Sequence, residues 1–231
     1  MKIYIEEAVF SLLPSFTIFC LEAKMGEFCQ SGKRRPKEEL ANAVKSVQAR
    51  GRGEVFSPFN PIEPWREAFG RFSTEKGARS SLEALLSSAR QGTLRSQSPL
   101  EEVEKAVSLY FSVPMTSIDL SKVKGFLGLC LSQGRDPFLG PEGKEGLTRE
   151  GEICYMDKLG ALSRCINWKS SPRVKLTEQS QKALFLCECA DKDSRIRTGE
   201  AVRDLERKLQ LYFGARTKIF ALDAGQASKR V

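Results

Sequence analysis

The sequence predicts a mixed α/β fold of the α+β kind, with a β-rich, mostly antiparallel middle and flanking helices. Three observations predict it. Apolar residues recur at helical spacing, with matched cap signals, between Leu40 and Tyr110. Short β-prone runs separated by Gly-, Pro- and Ser-containing turns take over beyond Pro114. One amphipathic helix then returns near the C-terminus ahead of a last strand, TKIFAL. No repeat or long linker divides the chain, so residues 1–231 are read as one composite domain.

In chain order, Lys2–Glu6 and Ser15–Ala23 read as strands, rich in Ile, Phe and Thr. A basic turn at Lys33, Arg34 and Arg35 precedes a helix with Leu40, Val44 and Val47 on one face, ended by Gly51 and Gly53. Trp65, Phe69 and Phe72 fall at helical spacing and suit a core better than a base-stacking platform, which needs exposed rings beside basic groups. Ser80 with Glu83, and Ser98 with Glu101, have capping-box spacing, and Pro99 follows at the first helical position. Leu82, Leu85, Leu86 and Ala89 form one apolar stripe, and Leu100, Val103, Val107 and Tyr110 another. FLGLCL, EICYMD, ALSRCINW and ALFLCEC read as strands. Thr198 is placed as the cap of the last helix, which carries Val202, Leu205, Leu209 and Phe213 inward and stops at Gly214. Residues 224–231 are expected to fray.

Composition narrows the chemistry. The chain has 231 residues, 41% of them hydrophobic, which is enough for a core. Its formal net charge of +8 is compatible with a polyanionic partner such as RNA. It has no histidine, which excludes Ser–His and Cys–His nucleophiles and histidine-bearing zinc sites. The seven cysteines form no CxxC pair and mostly sit in apolar runs, as reduced thiols of a cytoplasmic protein do. No metal or cofactor is expected. The apolar run Val9–Leu21 is broken by Pro14 and falls short of the roughly 20 residues of a membrane span, so no membrane partner is expected either.

The stretch Ser108–Gly125, SLYFSVPMTSIDLSKVKG, is the best candidate for a site: a short polar loop between a helix and an alternating run can aim side chains into a pocket. Together with SPLEEVEKAVSL, RSSLEALLSSARQG and VFSLLPSFTIFCLEAK, and more loosely GEICYMD, NWKSS and TEQSQKALFLCE, it resembles the editing module of the phenylalanyl-tRNA synthetase β subunit and its freestanding relatives. PMTSIDLSKVKG is the sharpest match, VFSLLPSFTIFCLEAK matches their first hairpin, and the resemblance runs through most of the chain. It implies a layered ββα sandwich and a module that binds the acceptor end of a mischarged tRNA and hydrolyses the wrong aminoacyl ester. Thr116 stands where bacterial synthetase modules commonly carry histidine and freestanding relatives glycine. Lys105 stands at an asparagine slot, Glu101 and Glu102 replace a more apolar-acidic pair, and Glu188 lies near the glutamate that reads a tyrosine hydroxyl.

Ester hydrolysis needs a placed water, a polarised carbonyl and an oriented leaving hydroxyl, but no covalent nucleophile. On this resemblance Thr116 orients water or the carbonyl, and Asp119 orders the loop or holds the substrate amine. Asn167 and Glu188 line the amino-acid pocket. Lys105 approaches phosphate or the ester oxygen, and Ser108 and Ser81 border the cleft. Lys122, Lys124, Arg164, Lys169, Arg173 and Lys175, with Lys33, Arg34 and Arg35, are candidate phosphate contacts. Plainer roles stay open for each: a turn for Asp119, backbone satisfaction for Thr116, a solvated charge for Lys105, helix capping for Ser81 and Ser108, a turn over the core for Asn167. For Glu188 the period of a strand allows a solvent face, whereas burial would raise its pKa and demand a partner. Three functions follow: a deacylase editing in trans, a non-catalytic tRNA- or amino-acid-binding module, or a pocket re-used for a small metabolite.

Overall fold

Along the chain, β1 (Lys2–Ile5), α1 (Glu7–Leu12) and β2 (Thr17–Lys24) lead into four helices: α2 (Pro36–Arg50), α3 (Glu63–Phe69), α4 (Ser81–Gln91) and α5 (Pro99–Phe111). The β-rich middle follows, with β3 (Met115–Asp119), β4 (Phe126–Gln133), β5 (Pro137–Leu139), β6 (Glu145–Leu147), β7 (Glu150–Asp157), β8 (Gly160–Ala161), β9 (Ser163–Arg164), β10 (Lys169–Ser170) and β11 (Lys182–Cys189). Helix α6 (Arg195–Phe213) and strands β12 (Arg216–Leu222) and β13 (Ser228–Arg230) close the chain. This computed structural model describes residues 1–26, 35–50, 60–141 and 143–231. Cys29, Lys33, Arg34 and the glycines Gly51 and Gly53 lie outside the described residues.

The helix starts follow their cap chemistry. Ser80 Oγ accepts from Glu83 N at 3.3 Å and Ser98 Oγ from Glu101 N at 3.2 Å, each worth about 1 kcal/mol to its helix. Gly92 (φ 68°) and Gly214 (φ 56°) end α4 and α6 in the left-handed conformation that a side chain resists.

The strands form two larger sheets and a small β9–β10 ribbon. The first has the order β13-β1-β4-β7-β8-β5-β6, the second β12-β2-β11-β3. Pairing is antiparallel except at β1–β4 and β5–β8. Ile18, Cys20, Ile118, Leu184 and Leu186 on one face of the second sheet share a core with Ile3, Leu127, Leu129, Ile153 and Tyr155 of the first. Leu21, Ala183, Phe185 and Cys187 on its other face pack beneath Val103 and Val107 of α5 and Val202, Leu205 and Leu209 of α6. The layers are therefore sheet, sheet and helices, the ββα sandwich expected. Trp65 and Phe69 belong to the core, with Trp65 edge-on to Phe16 at 6.3 Å.

Several local expectations fail for physical reasons. Residues 224–231 do not fray: Asp223 and Gln226 form a turn, and β13 pairs antiparallel with β1 from Lys2↔Arg230 to Tyr4↔Ser228, so backbone pairing outweighs polar composition. Residues Val9–Lys24 are not a hairpin, because Glu7–Leu12 is helical and β1 and β2 sit in different sheets. Thr198 is not a cap; α6 begins three residues earlier, and Thr198 Oγ1 donates back to Ser194 O at 2.8 Å. Tyr110 is 63% exposed, with Ala106 and Leu109 buried in the drift of the helical stripe.

ALSRCINW is broken into short strands because Cys165 (φ 45°) and Ile166 (φ 61°) turn left-handed. That costly turn is clamped by Glu152. Glu152 Oε1 accepts from Cys165 N at 2.9 Å and from Arg164 Nε at 2.6 Å, all with almost no exposure. Burial opposes ionisation of Glu152, but the Arg164 guanidinium and the Arg149 N–H hold its carboxyl below the ordinary value. Arg164→Met strands that carboxylate, and urea denaturation is expected to show a loss of about 3–5 kcal/mol. A loss under about 1 kcal/mol, typical of a surface pair, would contradict the clamp.

Candidate functional site

The stretch singled out in the sequence borders a cavity, but its Met115–Asp119 is not the polar loop expected: it is the largely buried strand β3. Strand β3 is the edge of the second sheet, paired only with β11 in the register Thr116↔Leu186, Ser117↔Phe185 and Ile118↔Leu184. Leu120 N donates to Lys182 O at 3.0 Å, which sets the alternation of the ladder. Thr116 and Ile118 therefore direct their backbone groups into the sheet, and Ser117 directs its N–H and C=O to the open edge. A cavity of about 330 Å³ lies along this edge. Its walls include Ile118, Leu162, Val174 and Tyr155, with Ser81, Thr116, Ser163 and Asn167 as polar points. An apolar recess with a few convergent polar groups is the usual form of a small-ligand site.

Behind that wall lies a linked polar chain. Ser81 N donates to Asn167 Oδ1 at 3.0 Å, Asn167 Nδ2 to Glu188 Oε2 at 3.4 Å, and Tyr155 OH to Glu188 Oε1 at 3.1 Å. Ser81 Oγ, also on the cavity wall, is buried and has no hydrogen-bond partner among the described residues. Glu188 is 1% exposed, so the solvent-face option for it is excluded. Burial, the largest influence, pushes its carboxyl up to about 7 against the hydrogen bonds from Tyr155 and Asn167. Glu188 thus acts on the cavity through Tyr155 and Asn167 and does not line it.

Glu104, absent from the sequence candidates, lines the cavity together with a neighbouring recess of about 430 Å³. Burial pushes its carboxyl up to about 7, opposed by a hydrogen bond from the Ser117 side chain. A signal for it was present: Glu104 has Leu100 at i−4 and Val107 at i+3, which places a carboxylate on the border of an apolar stripe. Tyr155 was hidden in the same way, read only as part of a strand.

Other candidates are committed elsewhere. Asp119 is 2% exposed and accepts from Ser121 N, Ser121 Oγ and Ser180 Oγ. Burial opposes its ionisation, but those bonds and Lys122 outweigh it and keep the carboxyl below its ordinary value. It orders the loop and does not line the cavity. Ser108 Oγ donates to Val113 O at 2.6 Å and secures the end of α5. Lys105 Nζ donates to Arg95 O at 2.5 Å and pairs with Glu101 at 3.1 Å, at the rim of the second recess and outside the cavity.

The proposed phosphate contacts divide. Arg164 is held by Glu152, and Arg173 makes two bonds of 2.8 Å to Asp157. Lys169 lies 3.9 Å over the Trp168 ring, and Lys122 Nζ donates to Lys175 O at 2.6 Å. Lys124 and Lys175 are exposed, and Lys175, whose Nζ donates to Gln97 Oε1 at 2.6 Å, lies at the mouth of both recesses. Six cysteines are free among the described residues, and burial raises the thiol of Cys165 to about 12, which disfavours a thiolate nucleophile. No described helix is long and apolar enough to cross a membrane.

A carboxyl whose folded pKa is raised holds its proton longer in the native than in the unfolded state. Stability should therefore fall as pH rises from about 4.5 through about 7 and then level off. Glu188→Gln is expected to make that decline shallower, on the order of 2 kcal/mol, in urea denaturation between pH 5 and 8. An unchanged slope would refute the burial of an ionisable Glu188.

No curated protein matches the chain. A crystal structure of an N-terminal fragment of the phenylalanyl-tRNA synthetase β-subunit from Pyrococcus horikoshii aligns at 9% identity with a TM-score of 0.45. That alignment covers 95% of this chain and 53% of that one, so the chain spans about half the length of the fragment. A family model described as the B3/4 domain matches residues 64–212, a span that contains every cavity residue named above and Glu188. With well over half of its length matched, the chain belongs to the B3/4 domain family, the module found in the phenylalanyl-tRNA synthetase β subunit.

Proposed function

We propose that this protein acts on tRNA as a deacylase in trans, hydrolysing the ester between a wrong amino acid and the terminal ribose. The cavity along the open edge of β3 carries this reading. Its volume of about 330 Å³ suits an amino-acid side chain. Its floor offers Asn167 and Tyr155, both held by Glu188, for contact with a polar substituent. Thr116 stands at the wall where a water or the ester carbonyl would be oriented. Membership of the B3/4 domain family supports a role in tRNA chemistry, and the exposed Lys175 lines the cavity and the neighbouring recess. An ester is activated enough for a positioned water to cleave it, so the lack of histidine is no obstacle.

A non-catalytic amino-acid- or tRNA-binding module is the second reading. It is favoured by the engagement of Lys105, Arg164 and Arg173, three of the expected substrate and phosphate contacts, in internal contacts.

The deciding experiment incubates the protein with tRNAs misacylated with tyrosine, serine or alanine. Release of at least one amino acid above the uncatalysed rate is expected, and Thr116→Ala should lower kcat/KM about 10-fold, the cost of a lost positioning contact. Absence of release at high enzyme defeats the deacylase, and salt-sensitive tRNA binding without cleavage would install the second reading.

A further inference from the structure

Glu104 stands where the cavity and the neighbouring recess meet, and it lines both. It comes from the middle of α5, and Ser117 of the edge strand β3 lines both spaces with it. The peptide N–H of Ser117 points off the same edge. An acceptor with proton affinity and a backbone donor therefore occupy neighbouring positions at one junction. The two spaces are alike in openness and in their largely apolar lining, and what sets the recess apart is the Gln97 amide and the Lys105 ammonium at its border, with Lys175 shared between the two.

We propose that Glu104 is the general base of the ester hydrolysis, with the Ser117 N–H as donor to the developing oxyanion. This rests on the deacylase reading above. The amino-acid side chain enters the cavity and the terminal nucleotide rests in the recess, which sets the ester bond beside Glu104. The Glu104 carboxylate removes a proton from water as the water oxygen bonds to the carbonyl carbon. The carbonyl π pair moves onto oxygen and is met by the Ser117 N–H. Collapse re-forms the carbonyl and breaks the bond to the ribose oxygen, which takes the proton back from Glu104. The products are the free amino acid and a tRNA with its terminal hydroxyl restored, and no other reactant is consumed.

The electrostatics suit this role. Burial pushes the Glu104 carboxyl up to about 7, close to the pH at which a base works best. Glu101 on the same helix pushes it further up, while the Ser117 hydrogen bond and Lys105 oppose the rise. From β11, Glu188 and the Cys187 thiol feel its charge, and Lys175 and Glu178 border the recess. Glu188 is enclosed and tied to Tyr155 and Asn167, whereas Glu104 opens to both recesses, so two neighbouring carboxyls of similar acidity take separate tasks.

The test follows kcat/KM of the full chain on the same three misacylated tRNAs from pH 5.5 to 8.5, with the uncatalysed rate subtracted. The wild type should rise through about pH 7 and level off. Glu104→Gln should lose about 10²–10³-fold and the rise with it. Glu104→Asp, which retains a carboxylate one methylene back, should keep a rising profile at an intermediate rate. Circular dichroism reports whether each variant is folded. If Glu104→Gln does not fold, Glu104→Asp decides alone, because a merely structural role predicts the wild-type rate for its folded fraction. Wild-type rate and profile in a folded Glu104→Gln overturn the base while the deacylase stands. A wild type that cleaves none of the three esters overturns both.

Discussion

Strand β11 is covered on both faces, and much of the molecule is organised by that fact. One face of the strand meets the first sheet and the other meets α5 and α6. A strand so placed reads as a continuous apolar run, as ALFLC does. The same enclosure makes Glu188 costly unless it is hydrogen-bonded, and Tyr155 from β7 and Asn167 from the turn after β9 supply the bonds. Asn167 in turn accepts from the first turn of α4. One buried carboxyl thus ties together both sheets and a helix at the back of the cavity, while the neighbour of β11, the short edge strand β3, leaves the front open.

The excess of positive charge behaves differently from what a net value suggests. Arg164 is used to hold Glu152 and the left-handed turn at Cys165 and Ile166, and Arg173 to hold Asp157 beneath the loop that carries Lys124. These two cations are committed to internal partners, whereas Lys124 and Lys175 are exposed. The acidic side of the ledger is equally uneven. Asp119, Glu152 and Asp157 are held ionised by bonds from arginine, serine or backbone N–H, whereas Glu104 and Glu188 lack such strong donors and are held toward the neutral form. The proposed function is placed where that compensation is incomplete.

Legibility along the chain follows the range of the interaction concerned. The Ser80 and Ser98 caps, the glycine stops at Gly92 and Gly214, and the inward stripe of α6 are short-range matters, and the residues themselves carry them. The stretch from Pro114 to Asp119 reads as a polar loop, yet Met115–Asp119 is a strand, because its partner β11 lies far along the chain. Thr198 misled because a threonine near a helix start has two local options, capping forward or donating back. The C-terminal segment misled because its partner, β1, is at the opposite end of the chain.

By itself, then, the sequence determined the mixed α/β class, the Ser80 and Ser98 caps, the histidine-free chemistry and the family to which the chain belongs. Tertiary structure decided which carboxylates matter. Asp119, Glu104 and Glu188 are alike as residues, and only packing separates them: three donors surround the first, an open junction the second, and two sheets the third. The reason is that the energy of a charge is set by the solvent it loses and the dipoles it gains. Those are properties of groups brought together across the fold, and they leave no mark on the neighbouring letters of the chain.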